Sequence, residues 1–358
     1  MASLLVLLII SGCVAYQYLK GTLIKAFTTI ITTICAGAVA FGYFELLANV
    51  FVSSNANLRY PSLVPWAQPL TFVLLLVLVF AILQTIAAQL TRRPVDLGLW
   101  PERIGRAVCG IFLGLIISGL LLTALAMAPL SNKYPYQRFD ARRPDAEKPD
   151  KVLFNTDGFA TGWFSTISGG SFSGKRSFAA LHPAFLDQVF LNRHNVADDI
   201  SIITSSQAIE VPNKTAAWPA PEGLKDSEDP NKPVEPKSGH NLTIVRLRIK
   251  SNAIKLAGKF TFSQLRLVCK AKSDAKNPLA GKGKNIYPFG YLKTASELKR
   301  VKQLSDQMKI STFQWVDFAF YVPNGFVPVL LEFKQNSIVE VPPLVTAEQA
   351  PPTVPFFY

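Results

Sequence analysis

Apolar residues crowd into the first third of the chain, in runs longer than an ordinary globular core uses. "ASLLVLLIISGCVAYQYL" covers residues 2–19 and "LIKAFTTIITTICAGAVAFGYFELLANVFV" covers 23–52. "TFVLLLVLVFAILQTIAAQL" covers 71–90 and "IGRAVCGIFLGLIISGLLLTALAMAPL" covers 104–130. About 20 helical residues, each rising about 1.5 Å, cross a hydrocarbon core roughly 30 Å thick. The pattern therefore predicts an α-helical four-span transmembrane bundle over residues 1–131, with the lipid bilayer as its partner.

Beyond that point the pattern changes. Residues 132–151 are rich in proline and charge and read as a spacer. Residues 152–203 form a small mixed segment in which Pro183 precedes a short amphipathic helix carrying Phe185, Leu186, Val189 and Phe190. Residues 204–240, dense in Pro, Lys and Glu, are predicted to be a disordered linker. From Asn241 the period becomes two: Val245, Leu247 and Ile249 alternate with Arg246, Arg248 and Lys250, and Leu265, Leu267 and Cys269 share a face. Thr294, three residues before Glu297, forms a capping box, and Leu298, Val301, Leu304 and Met308 follow at helical spacing. Two further strands flank Pro323, Asn324 and Gly325. Residues 241–343 thus read as a mainly-β sandwich with one inserted helix, followed by an extended Pro-rich tail over 344–358. The stretch "VDFAFYVPNGFVPVLLEF" resembles immunoglobulin-like domains attached to bacterial envelope proteins.

Charge sets the orientation. Lys20, Lys25, Arg92, Arg93, Arg103 and Arg106 flank the connections after spans one and three, whereas Arg59 alone follows span two. The positive-inside rule then puts both termini, and everything after Leu130, outside the cytoplasm. Of the 37 basic residues 30 fall in this remainder, with 21 of the 24 acidic ones, a surplus of +9. Such a surplus suits solubility or an anionic envelope surface; no nucleic-acid-reading motif accompanies it.

Several chemistries are weighed against that placement. "ISGGSFSGKRS", residues 167–177, nearly matches a phosphate-cradling loop at Gly174 and Lys175. Arg176 stands where a Ser or Thr should hold magnesium, and "GFATGWFSTIS" before it is a polar, glycine-broken stretch and no buried strand. Outside the cytoplasm ATP is scarce, so the stretch reads as a flexible turn. Cys13, Cys35 and Cys109 lie in the apolar third, leaving Cys269 alone in the remainder, and compartment is not legible from cysteine. Ile10, Ser11, Gly12 and Cys13 fit a lipoprotein cleavage box, but no cation precedes them, so the first helix is expected to be retained. His182, His194, Asp198 and Asp199 match no metal-ligand spacing, and no nucleophile turn is present. The reading is of a non-enzyme with no catalytic, cofactor or metal site. The five lysines between Lys270 and Asn285 read as a solvated loop or a contact for anionic polymer.

Within the spans, Gly110, Gly114 and Ser118 recur every four residues, and Thr29, Thr32, Thr33, Ala36, Gly37 and Ala40 form a second small-residue stripe. Small side chains let helices approach closely in lipid, inside one bundle or across a homo-oligomer seam. Glu45, with Asn49 one turn on, is either an intramembrane proton or cation site or a carboxylate reaching the headgroups.

Two stretches carry a family resemblance: "YLKGTLIKAF", with Lys20, Gly21 and Lys25, and "PERIGRAVCGIFLG", with Glu102, Arg103, Gly105, Gly110 and Gly114. On these residues the first third resembles the colicin V production protein (CvpA) family of bacterial inner-membrane proteins. Glu102 stands where that family commonly has Asp, and the Gly105–Gly110 spacing is one residue longer. The resemblance implies a multi-pass inner-membrane role in colicin V production or envelope homeostasis, without catalysis. Two functions are therefore expected as alternatives: an anchor for a binding domain that engages an envelope protein or anionic polymer, or a component conducting a small solute, ion or peptide past Glu45.

Overall fold

The computed structural model describes residues 1–20, 22–54, 63–91, 98–170, 177–194, 200–229, 231–250, 258–311 and 313–356. It comprises a helical unit (Met1–Phe51, Trp66–Arg138, Pro149–Ile167) and a β-rich unit (Val52–Pro65, Phe139–Lys148, Ser168–Tyr358).

The helical unit contains α1 (Ala2–Lys20), α2 (Leu23–Ser54), α3 (Ala67–Leu90), α4 (Leu99–Met127) and α5 (Thr156–Gly169). The first four are long and apolar enough to cross a membrane. Helices α1 and α4 meet backbone to backbone. A Cβ added at Gly110 would stand 2.6 Å from the Val14 Cα, and one at Gly114 would stand 2.6 Å from the Ile10 Cα. Ser118 continues the same seam and is fully buried. Absent side chains at these positions are what allow the two backbones to approach so closely.

At one end of this seam the charged residues close a corner. The Leu23 N–H, first in α2, donates to Glu102 Oε1 at 2.8 Å, and Arg106 Nη1 donates to the Tyr18 carbonyl at 3.2 Å. A carboxylate thus serves a helix N-terminus and a guanidinium serves a helix C-terminus, each opposite in sign to the local dipole. Helices α2 and α3 are joined by polar side chains: Thr32 Oγ1 donates to Gln84 Oε1 at 3.0 Å, and Gln84 Nε2 donates to Thr29 Oγ1 at 3.3 Å.

The glycine-broken stretch "GFATGWFSTIS", expected to be no strand, lies in α5. Gly158 and Gly162 lower its helix propensity by about 1 kcal/mol each, but packing against α2 and α4 overrides this. The Phe164 ring lies against Gly37, where a Cβ would come within 2.4 Å, and its centroid is 4.8 Å from that of Phe41. A Cβ on Gly119 would meet the Thr156 carbonyl at 2.2 Å and the Ala160 Cβ at 2.7 Å.

The β-rich unit holds α6 (Phe178–Leu181), α7 (Phe185–Asn192) and thirteen strands among the described residues. These are β1 (Ile209–Glu210), β2 (Ala217–Pro219), β3 (Lys225–Asp226), β4 (His240–Ile249), β5 (Lys259–Thr261), β6 (Leu265–Ala271) and β7 (Lys284–Ile286). The remainder are β8 (Gly290–Leu292), β9 (Glu297–Arg300), β10 (Gln307–Lys309), β11 (Trp315–Pro323), β12 (Phe326–Phe333) and β13 (Ser337–Glu340). One sheet runs β1-β4-β11-β8-β9-β3 with β2 also on β4, a second runs β13-β12-β6-β7, and β5 pairs with β10. Val245, Leu247 and Phe318 of the first sheet share one core with Leu265, Leu267, Cys269 and Phe333 of the second. Cys269 is thus the small core residue expected. Pairing is mixed, because β3 and β9 run parallel while the other pairs are antiparallel.

Three expectations change here. The helix expected from the capping box at Thr294 is strand instead. Leu298 pairs with Leu292, Met308 pairs with Phe260, and the two side chains enter different clusters, which no single helix face allows. The two strands expected around Pro323, Asn324 and Gly325 are present as β11 and β12. Gly325, at φ 83°, turns the chain from the first sheet into the second, and β11 and β12 pair elsewhere. The expected disordered linker holds β2 and β3, because Trp218 is driven into the β core. Lys270, expected in a solvated loop, is buried and donates to the Asn277 carbonyl at 2.6 Å and to that of Ala280.

The Pro-rich tail is extended apart from one 3-10 turn at Ala347–Gln349, and it is pinned. Arg246 and Asp317, opposite each other on β4 and β11, form a bidentate pair at 2.6 and 2.7 Å. Arg246 also donates to the Pro352 carbonyl at 2.7 Å, while the Val354 N–H donates to Asp317 at 3.2 Å. Phe356, buried against the Tyr291 ring edge at 5.5 Å, completes the attachment.

Two outcomes follow. Gly114→Val should cost about 1–3 kcal/mol by overpacking the α1–α4 seam, read as a lower unfolding midpoint in detergent. Asp317→Ala should cost about 3–5 kcal/mol, since it leaves Arg246 buried without its partner. It should also expose residues 346–356 to limited proteolysis.

Candidate functional site

A cleft of about 1030 Å³ opens in the β-rich unit. Three segments supply its polar wall: residues 143–147, the first turn of α7 with Asp187, and β7 with the residues after it, Lys284, Asn285 and Tyr287. Lys302 and His240 complete it.

Behind this wall lies a buried network that fixes α6 and α7 to the second sheet. Arg266 on β6 and Glu332 on β12 stand opposite in register, their side chains only 3% and 1% exposed. Arg266 donates to Glu332, to Asn285 Oδ1 and, at 2.6 Å, to the Leu181 carbonyl. Gln188 of α7 donates to the other Glu332 oxygen, and His182 Nδ1 lies 3.0 Å from Gln188 Oε1. Asn285 donates in turn to the Pro183 carbonyl. A buried ion pair is tolerated when neighbouring hydrogen bonds share its charge, and here Asn285, the Leu181 carbonyl and Gln188 do so. The Tyr287 hydroxyl is buried with no hydrogen-bond partner among the described residues. Burial raises its pKa well above the usual phenol range, Arg266 opposes this and Asp187 adds to it, so the hydroxyl stays a donor. The cleft therefore offers cations and carboxylates to a polar ligand, while the Asn285 amide and the Tyr287 hydroxyl are held behind its wall.

The histidines do not converge. His182 sits between the Phe178 and Phe185 rings, with centroids 5.2 and 5.3 Å away. Burial lowers the His194 pKa, against the opposing effects of the Ala141 backbone and Asp140. Asp198 and Asp199 lie outside the described residues, and among those described no cluster of three or more His, Cys, Asp or Glu could hold a metal.

The residues singled out from sequence lie mostly in the helical unit. Gly110 and Gly114 are covered by α1 and Gly37 by Phe164, and Ser118 is fully buried. Glu102 and Gly105 build the corner, whereas Lys20, Lys25 and Arg103 are exposed around it. Gly21, Arg59, Arg92, Arg93 and the near-phosphate loop at 171–176 lie outside the described residues. Helix α5, not a strand, precedes that loop. Glu45 and Asn49 are half-buried on α2. Sequence reasoning missed Arg266, Glu332, Gln188 and Tyr287. Alternation placed Arg266 on a solvent face, and Val268 on that same face was the one signal that it is covered.

No protein-family model, no curated protein and no solved structure matches the chain.

One buried cation lies at the β12–β13 turn. The Lys334 amine is 3.4 Å from the Lys259 carbonyl, and burial lowers its pKa from 10.5 to about 7. Unfolded, Lys334 holds its proton up to about 10.5; folded, it releases it near 7. Folding therefore releases a proton between these values, and stability falls as pH drops from 10.5 to about 7. Lys334→Met should raise the unfolding midpoint just above pH 7, and the gain should shrink as pH approaches 10.5.

Proposed function

We propose that this chain is a multi-pass protein of a bacterial inner membrane that anchors a non-catalytic binding domain, the β-rich unit, on the extracytoplasmic side. The observation that carries the reading is the outer face of α3, where Leu74, Val77, Leu78, Ile82 and Ile86 stand exposed along the helix. A continuous apolar face of this length needs an apolar solvent. Thr29, Thr32 and Gln84 bond to one another in the same helices, as polar groups in lipid must. The count of lysines and arginines supports the orientation, with both termini outside.

The partner is an envelope protein or anionic polymer presenting polar groups to the cleft. Two sheets around one core support an immunoglobulin-like description of the unit. Because Glu102 and Gly105, which carry the resemblance to colicin V production proteins, build the α1–α2–α4 corner, the proposal extends to colicin production or envelope homeostasis. Transport past Glu45 is the weaker reading. Glu45 lies 22 residues beyond Leu23, or about 33 Å at 1.5 Å per residue, at the edge of a core roughly 30 Å thick.

Topology is tested with Lys214→Cys in the β-rich unit, labelled in intact cells by an impermeant thiol reagent. Cys269 is buried, so the new thiol should react at once. Reaction only after lysis would place the unit inside and end the proposal. In vesicles, Glu45→Ala should leave solute flux unchanged.

A further inference from the structure

The position of α5 along the bundle can be read from spacing. Leu23 of α2 and Gly105 of α4 meet at the corner flanked by Lys20, Lys25, Arg103 and Arg106. Gly37 lies 14 residues beyond Leu23 on α2, and Gly119 lies 14 residues beyond Gly105 on α4. At about 1.5 Å per residue both stand roughly 21 Å from the corner. Helix α5 touches both, Thr156 and Ala160 at Gly119 and Phe164 at Gly37. Ala160 and Phe164 are one turn apart, so α5 meets two neighbours at one height and runs across them.

If the charged corner marks one edge of a core roughly 30 Å thick, α5 lies about 9 Å below the other edge. Its uncovered side is aromatic. Phe159 and Trp163 are 41% and 37% exposed with ring centroids 6.1 Å apart, and Phe154 is exposed just ahead of them. The end of α5 nearest the chain's polar spacer is held by polar groups: Tyr136 donates to the buried Asp157, and Arg138 donates to Tyr136 at 2.8 Å. With 14 residues, α5 spans about 21 Å and is too short to cross.

We propose that α5 is an in-plane helix seated in the leaflet at the C-terminal end of α4, with Phe159 and Trp163 among the upper acyl chains. This rests on the reading that α1–α4 span a bilayer. An aromatic face at this depth is how in-plane helices hold the boundary between headgroups and chains. The occupant of the exposed face is lipid, since the face lies at the height where the neighbouring spans require it.

The test is tryptophan quenching with the full chain reconstituted in phosphatidylcholine vesicles. The lipids are brominated either near the headgroup end or near the terminus of the acyl chain. Trp163→Phe should remove an emission component quenched more strongly by shallow than by deep bromines. Leu78→Trp, on the exposed face of α3, should add one quenched by deep bromines. If Leu78→Trp is quenched and Trp163→Phe changes nothing, the α5 face is covered by protein or water, and this inference fails while the spans stand. Stronger deep than shallow quenching of Trp163 would overturn the in-plane depth. Quenching of neither residue would remove the membrane reading itself.

Discussion

Backbone approach at Gly110 and Gly114 is the constraint on which the helical unit depends. Only absent side chains let α1 lie this close to α4. Once α1 and α4 are in register, Glu102 and Arg106 can serve the end of α1 and the start of α2 together. The corner then fixes where Gly37 and Gly119 stand, and those two glycines receive α5. A packing requirement at two positions is thereby carried to a helix that lies far along the chain.

The β-rich unit relies on charge instead. Arg246–Asp317 and Arg266–Glu332 are each cross-strand pairs, one in each main sheet, and each recruits chain from outside the sheet. The first captures the tail through Pro352 and Val354; the second captures α7 and the Leu181 carbonyl. Buried ion pairs contribute little net stability against apolar substitutes, but they are intolerant of wrong partners. Here they specify which segments cover the two sheets. The cleft is a by-product of that placement, because Asn285 belongs to the network and to the cleft wall.

Much of the fold was legible because its signals are local. Four long apolar runs give four helices, and alternation at 244–249 and 265–269 gives β4 and β6. The candidate site was not legible, since its members are polar residues that alternation assigns to water. Arg266 and Glu332 look like solvent-facing strand positions until α6 and α7 cover them. The error at 294–308 has the same origin: a capping box and a period near 3.6 are present, but β8 and β3 offer pairing that the segment cannot forgo.

The sequence alone determined which residues avoid water, because burial of apolar surface is additive and readable one segment at a time. It also carries the lysine and arginine asymmetry on which the proposed orientation rests. Tertiary structure decided what each segment lies against. It made α5 a helix, ordered the linker through Trp218 and turned β11 and β12 into different sheets. Such outcomes depend on distant partners, as Phe164 of α5 does on Gly37, more than 100 residues earlier. No local pattern encodes a contact whose other half is so distant.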